Sequence, residues 1–337
     1  HEYLSNHGKE NHSHLVRVST ASFRGTHMDG FHAAVREMVA TLAKPAPRTR
    51  RINLFPGMVS AADLRHLKEI LASFQSPFTL LPDYSETMDG GSWSEYEKLQ
   101  PGGTPIEDIA ATGSGEVSIE FGRTLEGNAT AGKFLEESFG IPRRVLGLPI
   151  GIRETDAFFK VLETVSGRTT PEEHLKERGR LIDSLVDGHK YVFEKRALIY
   201  GEEDLVIGLA SFLSEIGILP VLCASGAKSG RLESSLRAAI PNLPEEVLIR
   251  DKMDFVEMSH LAESLKPDLL IGNSKGYSIS RKLKVPLVRV GFPIHDRIGG
   301  QRVLHLGYRG AQQLYDRIVN TLLEAKQEQS PVGYSYL

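Results

Sequence analysis

A single cysteine in 337 residues, Cys223, leaves no pair for an internal disulfide and no set of thiolates for a self-contained metal cluster. That usage fits a reducing compartment, and a cytoplasmic location is expected. No apolar run reaches the length of a bilayer-spanning helix and no signal-peptide pattern opens the chain, so no membrane partner is expected. Net charge is scarce too: the formal balance of −3 gives no electrostatic footprint for nucleic acid. No Gly-x-Gly-x-x-Gly follows an opening strand. A nicotinamide-dependent dehydrogenase loses support.

What is present is the make-up of a soluble globular protein, 40% hydrophobic and 25% charged, long enough for two cores. From Arg50 onward, short apolar runs alternate with amphipathic stretches. Strands are expected at 51–55, 78–81, 117–121 and 144–148, then at 196–200, 220–223, 246–249, 268–272 and 285–290. Helices are expected from Phe31, and over 61–74, 131–139, 156–165, 203–216, 231–240, 255–265 and 311–323. Thr104-Pro-Ile-Glu107 has capping-box form, with Thr104 as N-cap. Strands alternating with helices of this length indicate parallel sheets built from βαβ units. The expected fold is α/β, with two successive doubly wound Rossmann-like domains. The division reads as an N-terminal segment and loop over 1–49, a first α/β domain over 50–170, a helical connection over 171–193 and a second α/β domain over 194–330. Ligands are expected at the carboxyl ends of the strands.

The opening stretch holds His1, His7, His12 and His14 without ordered acidic or cysteine partners, and reads as a surface segment. The start at His1 reads as a cut through a longer protein or a chain stripped of its beginning. Gly127-Asn-Ala-Thr-Ala-Gly132-Lys133 comes near a P-loop, but Phe134 stands where the magnesium-binding hydroxyl belongs. A nucleotide-binding protein using Lys133 is thus a minor alternative. Asn128-Ala-Thr130 matches a glycosylation acceptor by chance.

Three strand-end loops carry more. Asn273-Ser-Lys-Gly276 suits either a close approach to a ligand or a plain turn with Ser274 as cap. His295-Asp296-Arg297 offers either a proton or anion site, or a structural contact in which Asp296 pairs with Arg297. Ser19 to Gly30 packs hydroxyls, two glycines and His27 into twelve residues, either to approach a buried object or to start a helix.

Taken together, these segments resemble the β-subunit of nitrogenase component 1, the molybdenum–iron protein and its vanadium and iron relatives. The family's Thr-Pro-Ser-Phe-x-Gly-Ser-His-x-x-Gly segment is matched by Thr20-Ala-Ser-Phe-Arg-Gly-Thr-His-Met-Asp-Gly30. The likeness continues through Asn53 to Gly57, Leu81 to Asp83, Gly102 to Thr104, Lys176 to Arg180 and Asp187 to His189. It then covers Pro267 to Ser274, Gly291 to Arg297 and Leu306 to Tyr308.

The resemblance implies an α2β2 heterotetramer with an α-subunit. It further implies a P-cluster (8Fe–7S) between the subunits, which passes electrons from the iron protein to the cofactor in α. The whole would be a ferredoxin- or flavodoxin-dependent, ATP-hydrolysing oxidoreductase of nitrogen fixation, in which this chain is not catalytic alone. The family's cysteine ligands lie upstream of the matched segment and are not in this chain. Ser22 falls on the serine that offers its oxygen to the oxidised P-cluster; otherwise it simply bonds a backbone amide. Thr20 is followed by Ala21 instead of the family's proline, which loosens the loop. Thr20, Gly25, His27, Asn273, Ser274, His295, Asp296 and Arg297 are the interface or cluster-loop candidates. The alternative is the β-like subunit of the cofactor-assembly scaffold, with a 4Fe–4S cluster. That scaffold generally has an acidic residue at the Ser22 position, so the serine favours the catalytic component. Nitrogenase-like reductases acting on other substrates stay open.

Overall fold

Four short strands build the first sheet: β1 (Ile52–Phe55), β2 (Phe78–Leu80), β3 (Val117–Phe121) and β4 (Arg143–Leu146). They pair in the order β2-β1-β3-β4, all parallel. The second sheet consists of β5 (Arg196–Gly201), β6 (Leu219–Ser225), β7 (Leu248–Arg250), β8 (Leu269–Gly272) and β9 (Leu287–Arg289). Its order is β7-β6-β5-β8-β9, again parallel throughout. Both orders reverse direction beside their first strand, between β1 and β3 and between β5 and β8. Such a switch point opens a crevice at the carboxyl ends of the strands. The computed structural model describes residues 14–19, 25–92, 94–96, 98 and 101–332. His1, His7, His12, Thr20 and Ser22 lie outside them.

The helices are α1 (His27–Leu42), α2 (Ala61–Ser73), α3 (Ile106–Ala111), α4 (Ala131–Phe139), α5 (Gly151–Ser166) and α6 (Glu172–Val192). Next come α7 (Glu203–Glu215), α8 (Leu232–Ala239), α9 (Phe255–Leu265), α10 (Tyr277–Leu283) and α11 (Gly307–Gln329). One contiguous core runs through both halves, from Ile52, Leu54 and Ile119 to Ile199, Ile271 and Ile318. The C-terminal α11 lies along α6 and also reaches α5 and α2. Gly188 lets α6 and α11 meet, because a Cβ there would stand 2.4 Å from the Tyr315 hydroxyl.

Several element starts differ from the sequence expectation, and long-range capping explains them. α5 begins at Gly151 instead of Asp156, because the Glu215 carboxylate accepts from the backbone N–H groups of Ile152 (2.8 Å) and Arg153 (3.1 Å). α11 begins at Gly307 instead of Ala311. Oδ1 of buried Asp63 accepts from His305 N (2.9 Å) and Leu306 N (3.1 Å), 242 and 243 residues away. α1 begins four residues before Phe31, where Thr26 and Asp29 form a capping box. Thr104 does not cap α3: its hydroxyl donates to Leu80 O (2.6 Å) and accepts from Asp83 N (3.1 Å), tying the loop to β2. No helix among the described residues is long and apolar enough to cross a membrane.

Candidate functional site

The carboxyl ends of both sheets face one cavity of about 490 Å3. Pro56 and Gly57 follow β1, Phe121 ends β3, and Gly201 and Glu202 join β5 to α7 at its wall. Ala224 and Ser225 end β6, Asn273 follows β8, and Val290 to Pro293 follow β9. Gly25, Thr26, His27 and Met28 close the side where α1 starts. The segment read from sequence as able to approach a buried object therefore does border the cleft, through the residues of it that are described.

Two acids, Glu202 and Asp204, enter this cavity, whose lining holds the histidines His27, His32 and His305 but no lysine or arginine. Glu202 Oε2 caps α7, accepting from Asp204 N (3.0 Å) and Leu205 N (3.3 Å). The side chain remains reachable from the cavity while protein closes around it, and that burial pushes its carboxyl up to about 8, with Asp204 and Glu203 adding repulsion. Asp204 is also raised by burial, opposed by its bonds from Thr124 N (3.0 Å) and Thr124 Oγ1 (2.6 Å). His32, on α1 across the cavity, is lowered by burial against the pull of Glu120 and Asp29. The Tyr200 phenol donates to Asn273 O (2.5 Å), and burial raises its pKa well above the usual range. Gly276 is required beneath it, since a Cβ would lie 2.1 Å from the Tyr200 hydroxyl.

The loops after β8 and β9, named separately from sequence, are fastened to each other. Asn273 Nδ2 donates to Phe292 O (3.1 Å), and Ser274 N to Pro293 O (3.1 Å). The Ser274 hydroxyl donates to Asp296 and accepts from His295 N (3.1 Å). The cap of the turn is thus Asn273, whose side chain accepts from Lys275 N, and not Ser274. Asp296 pairs chiefly with Arg289, at 2.9 Å from Nε and 2.6 Å from Nη2. Arg297 Nη1 stands 3.6 Å from the Asp296 carboxylate and bonds its carbonyl at 2.6 Å. The Arg289 hydrogen bonds hold Asp296 well below the usual carboxylate range, which removes it as a proton carrier near neutrality. His295 is exposed. Gly25, His27 and Asn273 reach the cavity; Ser274, His295, Asp296 and Arg297 are not among its lining residues.

The near-P-loop holds no room for phosphate. Glu120 occupies the start of α4, accepting from Gly132 N (2.8 Å), Thr130 Oγ1 (2.8 Å) and Arg143 Nε (2.5 Å). Lys133 Nζ lies 4.0 Å from Glu137, on the outer turn of the helix. A carboxylate held there would repel a nucleotide's phosphates, and Lys133 points to Glu137 instead.

Glu202, Asp204, His32 and Tyr200 were not singled out from sequence. One signal was available: Glu202-Glu-Asp204 directly follows a strand ending in glycine, where an acidic N-cap belongs.

The described residues do not by themselves assemble a cluster site. No group of three His, Cys, Asp or Glu side chains among them converges as metal ligands. Cys223 is sealed within β6, and burial pushes its thiol up to about 12.

Fold and cleft define an α/β protein with two parallel sheets that share a pocket at their carboxyl ends. The family model described as nitrogenase component 1 type oxidoreductase matches residues 1–323, and the chain belongs to that family. The chain is 37% identical to the nitrogenase vanadium–iron protein beta chain of Trichormus variabilis, over 91% of this chain and 67% of that one. It is 30% identical to the nitrogenase iron–molybdenum cofactor biosynthesis protein NifN of a Nostoc species, over 95% of this chain and 69% of that one. A solved chain of nitrogenase Cp1 superposes with a TM-score of 0.94 at 29% identity, covering all of this chain and 74% of that chain. These relatives make the chain a β-type member of a nitrogenase family of iron–sulfur oxidoreductases.

Proposed function

We propose that this chain is the β-subunit of a nitrogenase or nitrogenase-like component 1, pairing with an α-subunit in a cytoplasmic α2β2 heterotetramer that receives electrons from an iron protein in an ATP-dependent reaction. The observation that carries the reading is the placement of Gly25 to Met28. These residues belong to the segment from Thr20 to Gly30 that resembles the family's, and they line the cleft between the two sheets. The reading puts Ser22, just before them in sequence, against a P-cluster held jointly with the partner, with Thr20, Gly25 and His27 as its loop. The loops of Asn273 and Ser274 and of His295 to Arg297 act in this account as a braced wall. The division into 50–170 and 194–330 belongs to the same proposal.

The cluster's remaining ligands are not among the described residues, so no step through it is derived. The test is co-purification of the native complex. An α-type partner and P-cluster iron are the expected result; a chain isolated without partner or iron overturns the reading. The likeness to the cofactor biosynthesis protein supports a second reading, a β-like scaffold subunit carrying a 4Fe–4S cluster. EPR spectroscopy of the native complex separates the two.

A further inference from the structure

A second recess, of about 280 Å3, lies behind the β9 loop, between Arg289, the segment from Ile294 to Val303 and α11. Four arginines line it: Arg289, Arg297, Arg302 and Arg317. Two acids among the described residues pair with them. Asp296 serves Arg289 and, more loosely, Arg297, while Asp89 takes Arg302 Nη1 at 3.1 Å. Arg317, half-buried on α11, has only a 3.4 Å bond to the carbonyl of Arg289 and no carboxylate within ion-pair distance among the described residues. Burial holds its pKa below the usual range.

From this arrangement we propose that the recess binds a phosphate-class oxyanion, free or as a phosphomonoester. Three arguments support it. A half-buried guanidinium without a counter-anion is costly to hold, and an anion bound beside it restores charge balance. Arg297 and Arg302 are 59% and 49% exposed at their side chains, so both are free to turn further donors inward. Guanidinium geometry matches the oxygens of a phosphate in paired hydrogen bonds, which a chloride ion does not use. Gly299, at φ +84°, lets the loop turn tightly beside Arg302, whose Nη2 would stand 3.3 Å from a Cβ there. The site is separate from the inter-sheet cavity and does not rest on the proposed role of the subunit.

The experiment is isothermal titration of inorganic phosphate into the native complex at low ionic strength, repeated with glycerol 2-phosphate, succinate and chloride. Saturable phosphate binding is expected, weakened about tenfold or more by Arg317→Met and less by Arg317→Lys, since a charge-assisted hydrogen bond of that kind is lost. Arg317→Met keeps the apolar stem and should fold; circular dichroism checks this, and Arg317→Lys stands in if it does not. Tighter binding of glycerol 2-phosphate identifies an ester as the source, and tighter inorganic phosphate identifies the free ion; both support the site. Absence of phosphate binding, equal affinity in Arg317→Met, or equal binding of succinate or chloride overturns it.

Discussion

Glu120 and Glu202 each set a carboxylate against the first turn of a helix at the carboxyl end of a parallel sheet, but the charge around them differs. Glu120, 2% exposed, is met by a backbone N–H, a hydroxyl and the guanidinium of Arg143, itself 8% exposed at the side chain. Its negative charge is balanced and its site is closed. Glu202 is met by two backbone N–H groups, and its nearest charged neighbours are the acids Asp204 and Glu203. Its charge is unbalanced and its site opens to a cavity. The same local device is structural where a cation is supplied and responsive to pH where none is. Position at a strand end therefore does not by itself identify function; the counter-charge does.

The largest expected effect comes from breaking the balanced site. Arg143→Met leaves Glu120 buried without its cation and should destabilise the chain by about 3–5 kcal/mol in denaturant titration. Adding Glu120→Gln to it should return much of that loss. A smaller effect is expected on the cleft side, where packing holds the wall. Gly276→Ala drives a methyl group into the Tyr200 hydroxyl and should cost about 1–3 kcal/mol, read as a lower denaturation midpoint.

The unbalanced acid predicts a pH effect of definite sign. A carboxyl raised from 4.5 to about 8 favours the folded state when protonated. Its contribution is complete below the unfolded value and is lost as pH rises through about 8. Glu202→Gln should therefore match the unaltered protein in stability near pH 4.5 and exceed it increasingly toward pH 8. A constant difference across that range would remove the contrast with Glu120. The smallest effect belongs to Cys223: Cys223→Ala should leave the iron content of the native complex unchanged, and the native thiol should resist alkylation until the chain unfolds.

Much of the fold was legible because hydrophobic alternation is a local signal. β3 and α4 fall on their expected residues, and so does α9. What was not legible depends on partners far along the chain. The first turns of α5 and α11 exist because Glu215 and Asp63 cap them from other elements, and Thr104 gave up its capping role to bind β2. The cleft was half legible. Its glycine and hydroxyl loops stand out in sequence, whereas Glu202 and Tyr200 look like ordinary helix-start and strand residues until both sheets are assembled. The mutual pairing of the Asn273 and His295 loops, and the preference of Asp296 for Arg289 over its neighbour, are likewise products of the β8–β9 pairing and not of spacing.

The central claim, a β-type subunit facing a shared P-cluster through the Ser22 segment, is tested most directly by iron quantification and EPR of the native complex with Ser22 and with Ser22→Ala. The account predicts iron of P-cluster type in both, with the signal of the oxidised state altered in Ser22→Ala. A 4Fe–4S cluster in its place, or an oxidised-state signal indifferent to Ser22, would contradict it.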